Sequence, residues 1–206
     1  MCVRRLTVLV IAVAHRRWPY AAPMTTEPLM FDHVVDGMFN KNLGKRLSTK
    51  ARDELKAAGL DLSRPLRPAY PLTAYFAFLE IAGRDLFPGK KTPEQMYELG
   101  LCLLDGYLDT LMGKAIVNFA KLLGPARAIR RSERTWRQGN NFTEVTVVEH
   151  SDSKFELRFN RVGPYPEHTQ GALMAALRIN EELAVQVELT DRTPPGAVYV
   201  VSWVKK

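Results

Sequence analysis

The chain has 206 residues, 46% apolar and 25% charged, the balance of a globular domain able to bury a core and not of a disordered or fibrous chain. Its formal charge of +7 invites a nucleic-acid or membrane-surface reading, but Arg4, Arg5, Arg16 and Arg17 supply four of those seven charges from a leading segment that holds no Asp or Glu. Two cysteines, Cys2 and Cys102, build no disulfide framework and point to a reducing, cytoplasmic compartment.

The leading segment places the apolar run Leu6–Ala14 between two arginine pairs. The run is too short to span a bilayer, and His15, Arg16 and Arg17 directly after it are poor flanks for a secretory signal. Met24-Thr-Thr-Glu-Pro reads as an ordinary polar start. Residues 1–24 are therefore expected to be a disordered or mis-annotated extension, and residues 25–206 a single domain.

From Phe31 to Gly44, Val34, Val35, Met38, Phe39 and Leu43 recur at helical spacing and predict a first core helix. Ser48 then caps a short amphipathic helix over about 49–58, with Gly59 as its left-handed stop. Prolines at 65, 68 and 71 make residues 61–71 an extended connector. Leu72, Tyr75, Phe76, Leu79 and Phe87 predict a third helix with an aromatic face, ended by Pro88-Gly89. Thr92-Pro93-Glu94-Gln95 reads as a helix start, with Thr92 capping and Gln95 closing a capping box. The helix that follows carries Met96, Leu99, Leu103, Tyr107 and Leu111 on one stripe. Gly100, Gly106 and Gly113 cost it stability and mark close helix contact or room for a ligand. Apolar residues continue over 115–123, and a short basic helix follows over 125–132.

The last third is the most regular. Phe155, Leu157 and Phe159 alternate with Glu156, Arg158 and Asn160, and Val185, Val187 and Leu189 alternate with Gln186 and Glu188, the two-residue period of a sheet with one dry face. Leu173, Leu177 and the alanines at 172, 175 and 176 form a helix between them, and Val198 to Trp203 closes the block. The order is β-β-α-β-β. Its dry face must be covered, so the fold class is α+β, an N-terminal helical layer packed on a four-stranded antiparallel sheet.

Chemistry-bearing motifs are sparse. His15, His33, His150 and His168 share no metal-ligand spacing with each other or with either cysteine, so no metal is expected. The chain also lacks a nucleophile elbow, a phosphate loop and a supported Cys-His pair. Asp105 and Asp109 share a helix face, a spacing that suits an acid-base pair or a solvated surface. Arg127, Arg130, Arg131, Arg134 and Arg137 surround Trp136 in a patch that reads as anion-binding or partner-facing in preference to a nucleic-acid module. Arg137-Gln138-Gly139-Asn140-Asn141 either enters the first strand through a tight turn or forms a polar ligand rim. His168, after Gly163-Pro164-Tyr165-Pro166-Glu167, is an exposed or capping histidine, or one that faces a pocket between helix and sheet.

Several strings carry a resemblance: Gly59-Leu60-Asp61-Leu62-Ser63-Arg64-Pro65-Leu66, Pro68-Ala69-Tyr70-Pro71, Gly106-Tyr107 with Thr110-Leu111 and Gly113-Lys114-Ala115, and Gly139-Asn140-Asn141-Phe142-Thr143-Glu144. Together, and in this order, they resemble a paralogous family of proteins expanded in myxobacteria, a domain of unknown function. The C-terminal block, with Gly171-Ala172-Leu173, the strand at Val185–Leu189 and Val198–Trp203, is more distantly similar to the ends of 4-vinyl reductase domains, TRAPP tethering subunits and H-NOX haem domains. That likeness implies a helical layer on an antiparallel sheet, with haem, an aromatic or acyl ligand, or nothing between them. The H-NOX string Tyr-x-Ser-x-Arg is absent, as is the Cys/His cluster of many 4-vinyl reductase domains, so no cofactor is expected.

The resulting expectation is a non-enzymatic, cytoplasmic sensory or ligand-binding module. Its apolar pocket between helices and sheet would be lined by Tyr75, Phe76, Met96, Tyr107 and Met174 and rimmed by Arg137, Asn140, Asn141 and His168, for a small apolar or aromatic ligand. The alternative is an interaction scaffold that homodimerises through the small-residue helix 93–112. An enzyme would need Asp105, Asp109, Arg137 and His168 to converge on one cavity.

Overall fold

The structure, a computed structural model, describes residues 27–108 and 124–206. The leading segment 1–24, the apolar stretch 115–123 and the residues Asp109, Leu111 and Gly113 lie outside the described residues.

The chain begins with β1 (Leu29–Phe31), which runs directly into helix α1 (Asp32–Val35). The same helical path then widens into a π-helix at Asp36–Asn42 and tightens into a 3-10 turn at Leu43–Lys45, so the predicted first helix is one segment with three windings. Its stop at Gly44 has a packing cause. A Cβ there would sit 2.6 Å from the Phe39 carbonyl oxygen. Helix α2 (Thr49–Ala57) starts as expected, with Ser48 Oγ accepting from Ala51 N at 3.2 Å. Asp85 Oδ2 in turn accepts from Ser48 N at 2.9 Å. Gly59, at φ +102°, ends the turn.

The predicted connector over 61–71 needs a correction at its end. Ala69–Pro71 forms strand β2, paired antiparallel with β1, Met30 opposite Tyr70. Three-residue strands flanked by proline carry too little period to be read from sequence, and an edge ribbon tolerates the missing N–H. Helix α3 (Leu72–Leu86) follows without a break, and α4 (Thr92–Leu108) after a short turn. The capping box also needs correcting. Buried Gln95 turns its amide outward to the turn, donating to the Phe87 and Lys90 carbonyls at 3.0 Å each, and so fastens α4 to the end of α3. The basic helix expected over 125–132 is α5 (Pro125–Arg130), and a further helix not expected from the sequence, α6 (Ser132–Gly139), follows it.

The C-terminal block is as expected: β3 (Val145–Ser151), β4 (Lys154–Phe159), helix α7 (Pro166–Arg178), β5 (Leu183–Asp191) and β6 (Ala197–Lys205). The strands form one antiparallel sheet in the order β3-β4-β6-β5, with Phe155 opposite Val201, Leu157 opposite Tyr199 and Val187 opposite Val201. Phe155, Leu157, Tyr199 and Val201 are fully buried, while Lys154 and Arg158 point to solvent.

The cover of this dry face is more local than the periodicity implied. It consists of Leu173, Met174 and Leu177 of α7, Ile129 of α5, Trp136 of α6 and Leu101 of α4. The helical front has its own core, built from Val35, Met38, Phe39, Leu55, Tyr75, Phe78, Leu79, Met96 and Leu99. Helix α4 belongs to both, since Met96 and Leu99 enter the first core and Leu101 reaches the second.

Candidate functional site

The two cores meet where α7 crosses α4, and glycine permits the crossing. A Cβ at Gly100 would lie 2.1 Å from the His168 carbonyl oxygen, and one at Gly171 would lie 2.1 Å from that of Tyr97. The glycines of α4 and α7 thus bring main chain against main chain, and the cost of Gly100 within a helix is explained by this intrachain contact.

The first turn of α7 delivers His168 to the junction. Gly163, at φ +79°, turns the chain out of the sheet, and Pro166 opens the helix at a position where no N–H is needed. The imidazole is 6% exposed, and its Nε2 has no hydrogen-bond partner. It stands edge-on to Tyr75 and to Phe76 of α3, with ring centroids 5.9 Å away in each case. Tyr75 is 1% exposed, packs edge-on to Phe39, and its hydroxyl likewise has no partner. Burial among rings disfavours charge on both groups: the His168 value falls to about 4, and the Tyr75 phenol is pushed far up. Two neutral, unpaired polar atoms therefore sit inside an aromatic cage.

Tyr165 closes the outer side. Half-buried, it tilts over Phe76 at 6.0 Å and donates from its hydroxyl to Glu80 Oε1 at 2.7 Å, a bond that raises the phenol value. Beneath it Phe76 presses on bare backbone, since a Cβ at Gly163 would lie 2.1 Å from its Cε2. Nothing in the sequence links Tyr165 and Glu80, which are 85 positions apart and share no motif.

The expected pocket and rim residues divide among several places. Tyr75, Phe76 and His168 come together. Met96 is buried in the same helical core, whereas Met174 faces the sheet core. The side chain of Tyr107 lies outside the described residues. Asn140 is 4% exposed and spends its amide on the turn into β3, with Oδ1 accepting from Phe142 N and Thr143 N and Nδ2 donating to the Trp136 carbonyl. Asn141 pins β1, accepting from Leu29 N at 2.8 Å and donating to the Glu27 carbonyl. Arg137 is exposed on α6, as is Asp105 on α4. Trp136 is turned inward, edge-on to Phe159 at 5.2 Å, and Arg130 pairs with Glu149 across the Phe155 ring.

Beside the junction, Lys90, Glu94, Tyr97, Glu98, Glu167 and Gln170 outline a solvent-open groove of about 370 Å³. Two of its carboxylates are ion-paired, Glu98 with Lys90 and Glu167 with Arg192. It is therefore polar, unlike the apolar pocket expected. Among the described residues no group of three or more His, Cys, Asp or Glu is placed to hold a metal, and no helix is long and apolar enough to cross a membrane.

Residues 29–204, nearly all of the described chain, match the family described as Protein of unknown function (DUF2378). The chain belongs to that family. No curated protein sequence matches it. Among solved structures it is similar to an oxygen-binding H-NOX domain related to soluble guanylate cyclases, with TM-score 0.63 and 12% identity over 86% of this chain and 95% of that one. It is also similar to an H-NOX structure described for the molecular mechanism of H-NOX activation, at TM-score 0.61 and 14% identity over 86% and 97%. A third is an Fe(II) unliganded H-NOX variant from K. algicida, at TM-score 0.60 and 8% identity over 86% and 98%. The fold of this DUF2378 chain is thus H-NOX-like. Of the relatives that its sequence resembles, the matches support the H-NOX domains, and give no support to 4-vinyl reductase domains, TRAPP subunits or a myxobacterial distribution.

Proposed function

We propose that this DUF2378 chain is a non-enzymatic, cytoplasmic ligand-binding module of sensory type, and that its ligand is held where α3, α4 and α7 meet. The observation that carries this reading is the pair of unpartnered buried atoms, His168 Nε2 and the Tyr75 hydroxyl, at the seam between two cores. Buried polar groups are ordinarily hydrogen-bonded, and an orphaned group needs an explanation. A ligand at the seam would supply one. It would also touch α7, whose Leu173, Met174 and Leu177 pack on the sheet, and so could turn binding into a change of shape.

Haem is the group that the fold relatives suggest, and the described residues do not fit it. His168 is the buried histidine of the described chain, but its ring has Tyr75 and Phe76 against it, and α4 and α7 are in main-chain contact through Gly100 and Gly171. Among the described residues no slot for a flat macrocycle is seen beside Nε2. The carboxylate-binding string of H-NOX domains is absent from the sequence as well.

Native mass spectrometry and visible absorbance of the purified chain test the proposal. The expected result is a colourless protein carrying a small molecule, with a melting temperature that falls when the molecule is removed. A chain that co-purifies with nothing, and whose melting temperature no compound of a broad small-molecule set raises, would overturn it.

A further inference from the structure

We propose that His168 and Tyr75 form the recognition point for a ligand that carries a hydroxyl, and no anionic group, on a compact apolar body. This rests on the ligand-binding reading above and specifies its chemistry.

Charge is the first discriminator. The rings around His168 are Tyr75 and Phe76, with Phe39 behind Tyr75. The carboxylates bonded in this neighbourhood are committed elsewhere, Glu80 to Tyr165 and Glu167 to Arg192. An anionic ligand would therefore lose its hydration and meet a carboxylate, Glu80, that no cation among the described residues neutralises.

Hydrogen-bond complementarity is the second. A phenol offers one donor and acceptor lone pairs, and a neutral imidazole presents Nε2 as acceptor in one tautomer and as donor in the other. A ligand hydroxyl is both donor and acceptor, so it can engage Nε2 in either tautomer and still bond the Tyr75 hydroxyl. A hydrocarbon would leave both atoms unpaired. The cage walls are the rings of Tyr75 and Phe76, which favour an apolar body, and the half-buried Tyr165 covers Phe76 on the outer side.

The test uses the full-length chain with 15N-labelled histidine and three probes of one shape: cyclohexanol, methylcyclohexane and cyclohexanecarboxylate. Binding is read at neutral pH from the His168 Nε2 resonance and from the melting temperature, in the wild type and in His168→Phe and Tyr75→Phe. These variants keep a ring and remove an orphaned polar atom, and the wild-type resonance needs no variant at all. Cyclohexanol is expected to shift Nε2 and to bind about tenfold more tightly than methylcyclohexane, a margin that each Phe variant removes. Equal binding of cyclohexanol and methylcyclohexane, or retention of the margin in both variants, overturns the inference while leaving a ligand pocket. Tightest binding of cyclohexanecarboxylate also overturns it. If no probe binds and Nε2 reports only a bound water, the hydroxyl-ligand inference is lost, and the ligand-binding reading is then decided by the co-purified molecule.

Discussion

A neutral imidazole locked among aromatic rings makes the stability of this chain depend on pH in a predictable direction. His168 titrates near 4 when folded and near 6.5 when unfolded, so between those values the unfolded chain binds a proton that the folded chain refuses. Its contribution is intact above about pH 6.5 and is lost as pH falls towards 4, by roughly 3 kcal/mol at most. Glu149 and Glu156, held low by Arg130 and Arg158, lose their stabilisation at more acid pH, below the ordinary carboxylate range. Urea unfolding at about pH 7 and about pH 4.5 should therefore show a larger drop for the wild type than for His168→Phe. Parallel drops would place the acid sensitivity elsewhere. Asn140 is the other residue whose role is sharply defined. Its buried amide satisfies two N–H groups and one carbonyl at the turn into β3. Asn140→Ala leaves those groups without partners, and a loss of about 2–3 kcal/mol is expected. An unchanged urea midpoint would mean that water replaces the amide there. The turn preference of Gly-Asn-Asn was legible in the sequence, but what each asparagine bonds was not, because Asn141 reaches back to Leu29 and Glu27 across the chain.

Among the elements, the crossing of α4 and α7 shows how far periodicity reads and where it stops. The stripe Met96, Leu99 and Leu103 identified a buried helix, and the strands announced themselves by alternation, because a face that is dry along its length must repeat at the period of its backbone. Contacts made by absent side chains leave no such period. Gly100 stood out in the sequence as a helix glycine with two possible reasons, and only the position of Gly171 decides for helix contact. The same holds for β1 and β2, whose three-residue pairing is fixed by chain closure and not by pattern. Gly100→Ala supplies a better helix former, worth about 1 kcal/mol, but forces the helices apart at a 2.1 Å approach. Overpacking of this kind costs about 1–3 kcal/mol, so net destabilisation is expected. Gly89→Ala, where nothing lies within 4 Å, should be close to neutral. Thermal melts of the two variants side by side check this, and a Gly100→Ala protein as stable as the wild type would show that the crossing has slack.

At the scale of the whole molecule, two cores joined by one shared helix raise the question of whether they unfold together. The candidate cage lies at their seam, assembled from α3 and the first turn of α7, and no sequence window contains both of its halves. That is why the fold class was readable from one strand block and one helix block, whereas the sequence offered Tyr75, Phe76 and His168 among the candidate pocket and rim residues without showing that these three meet. Coupling follows from the same geometry. Leu79 is fully buried in the helical core and Leu157 in the sheet core. Loss of either core would strip one side of α4 and break the main-chain contact at Gly100. Leu79→Ala and Leu157→Ala should each cost about 2–5 kcal/mol, and each should move one and the same transition. The check is urea unfolding of a Trp18→Phe background followed in parallel by tryptophan fluorescence, which then reports Trp203 and Trp136 on the sheet side, and by helical circular dichroism. Coincident midpoints in both variants mean that the seam transmits strain between the halves, as a ligand lodged there would require. Separated midpoints, with Leu79→Ala melting the helices while the tryptophans stay buried, would mean that the halves are independent and that occupancy of the cage could not be sensed by the sheet.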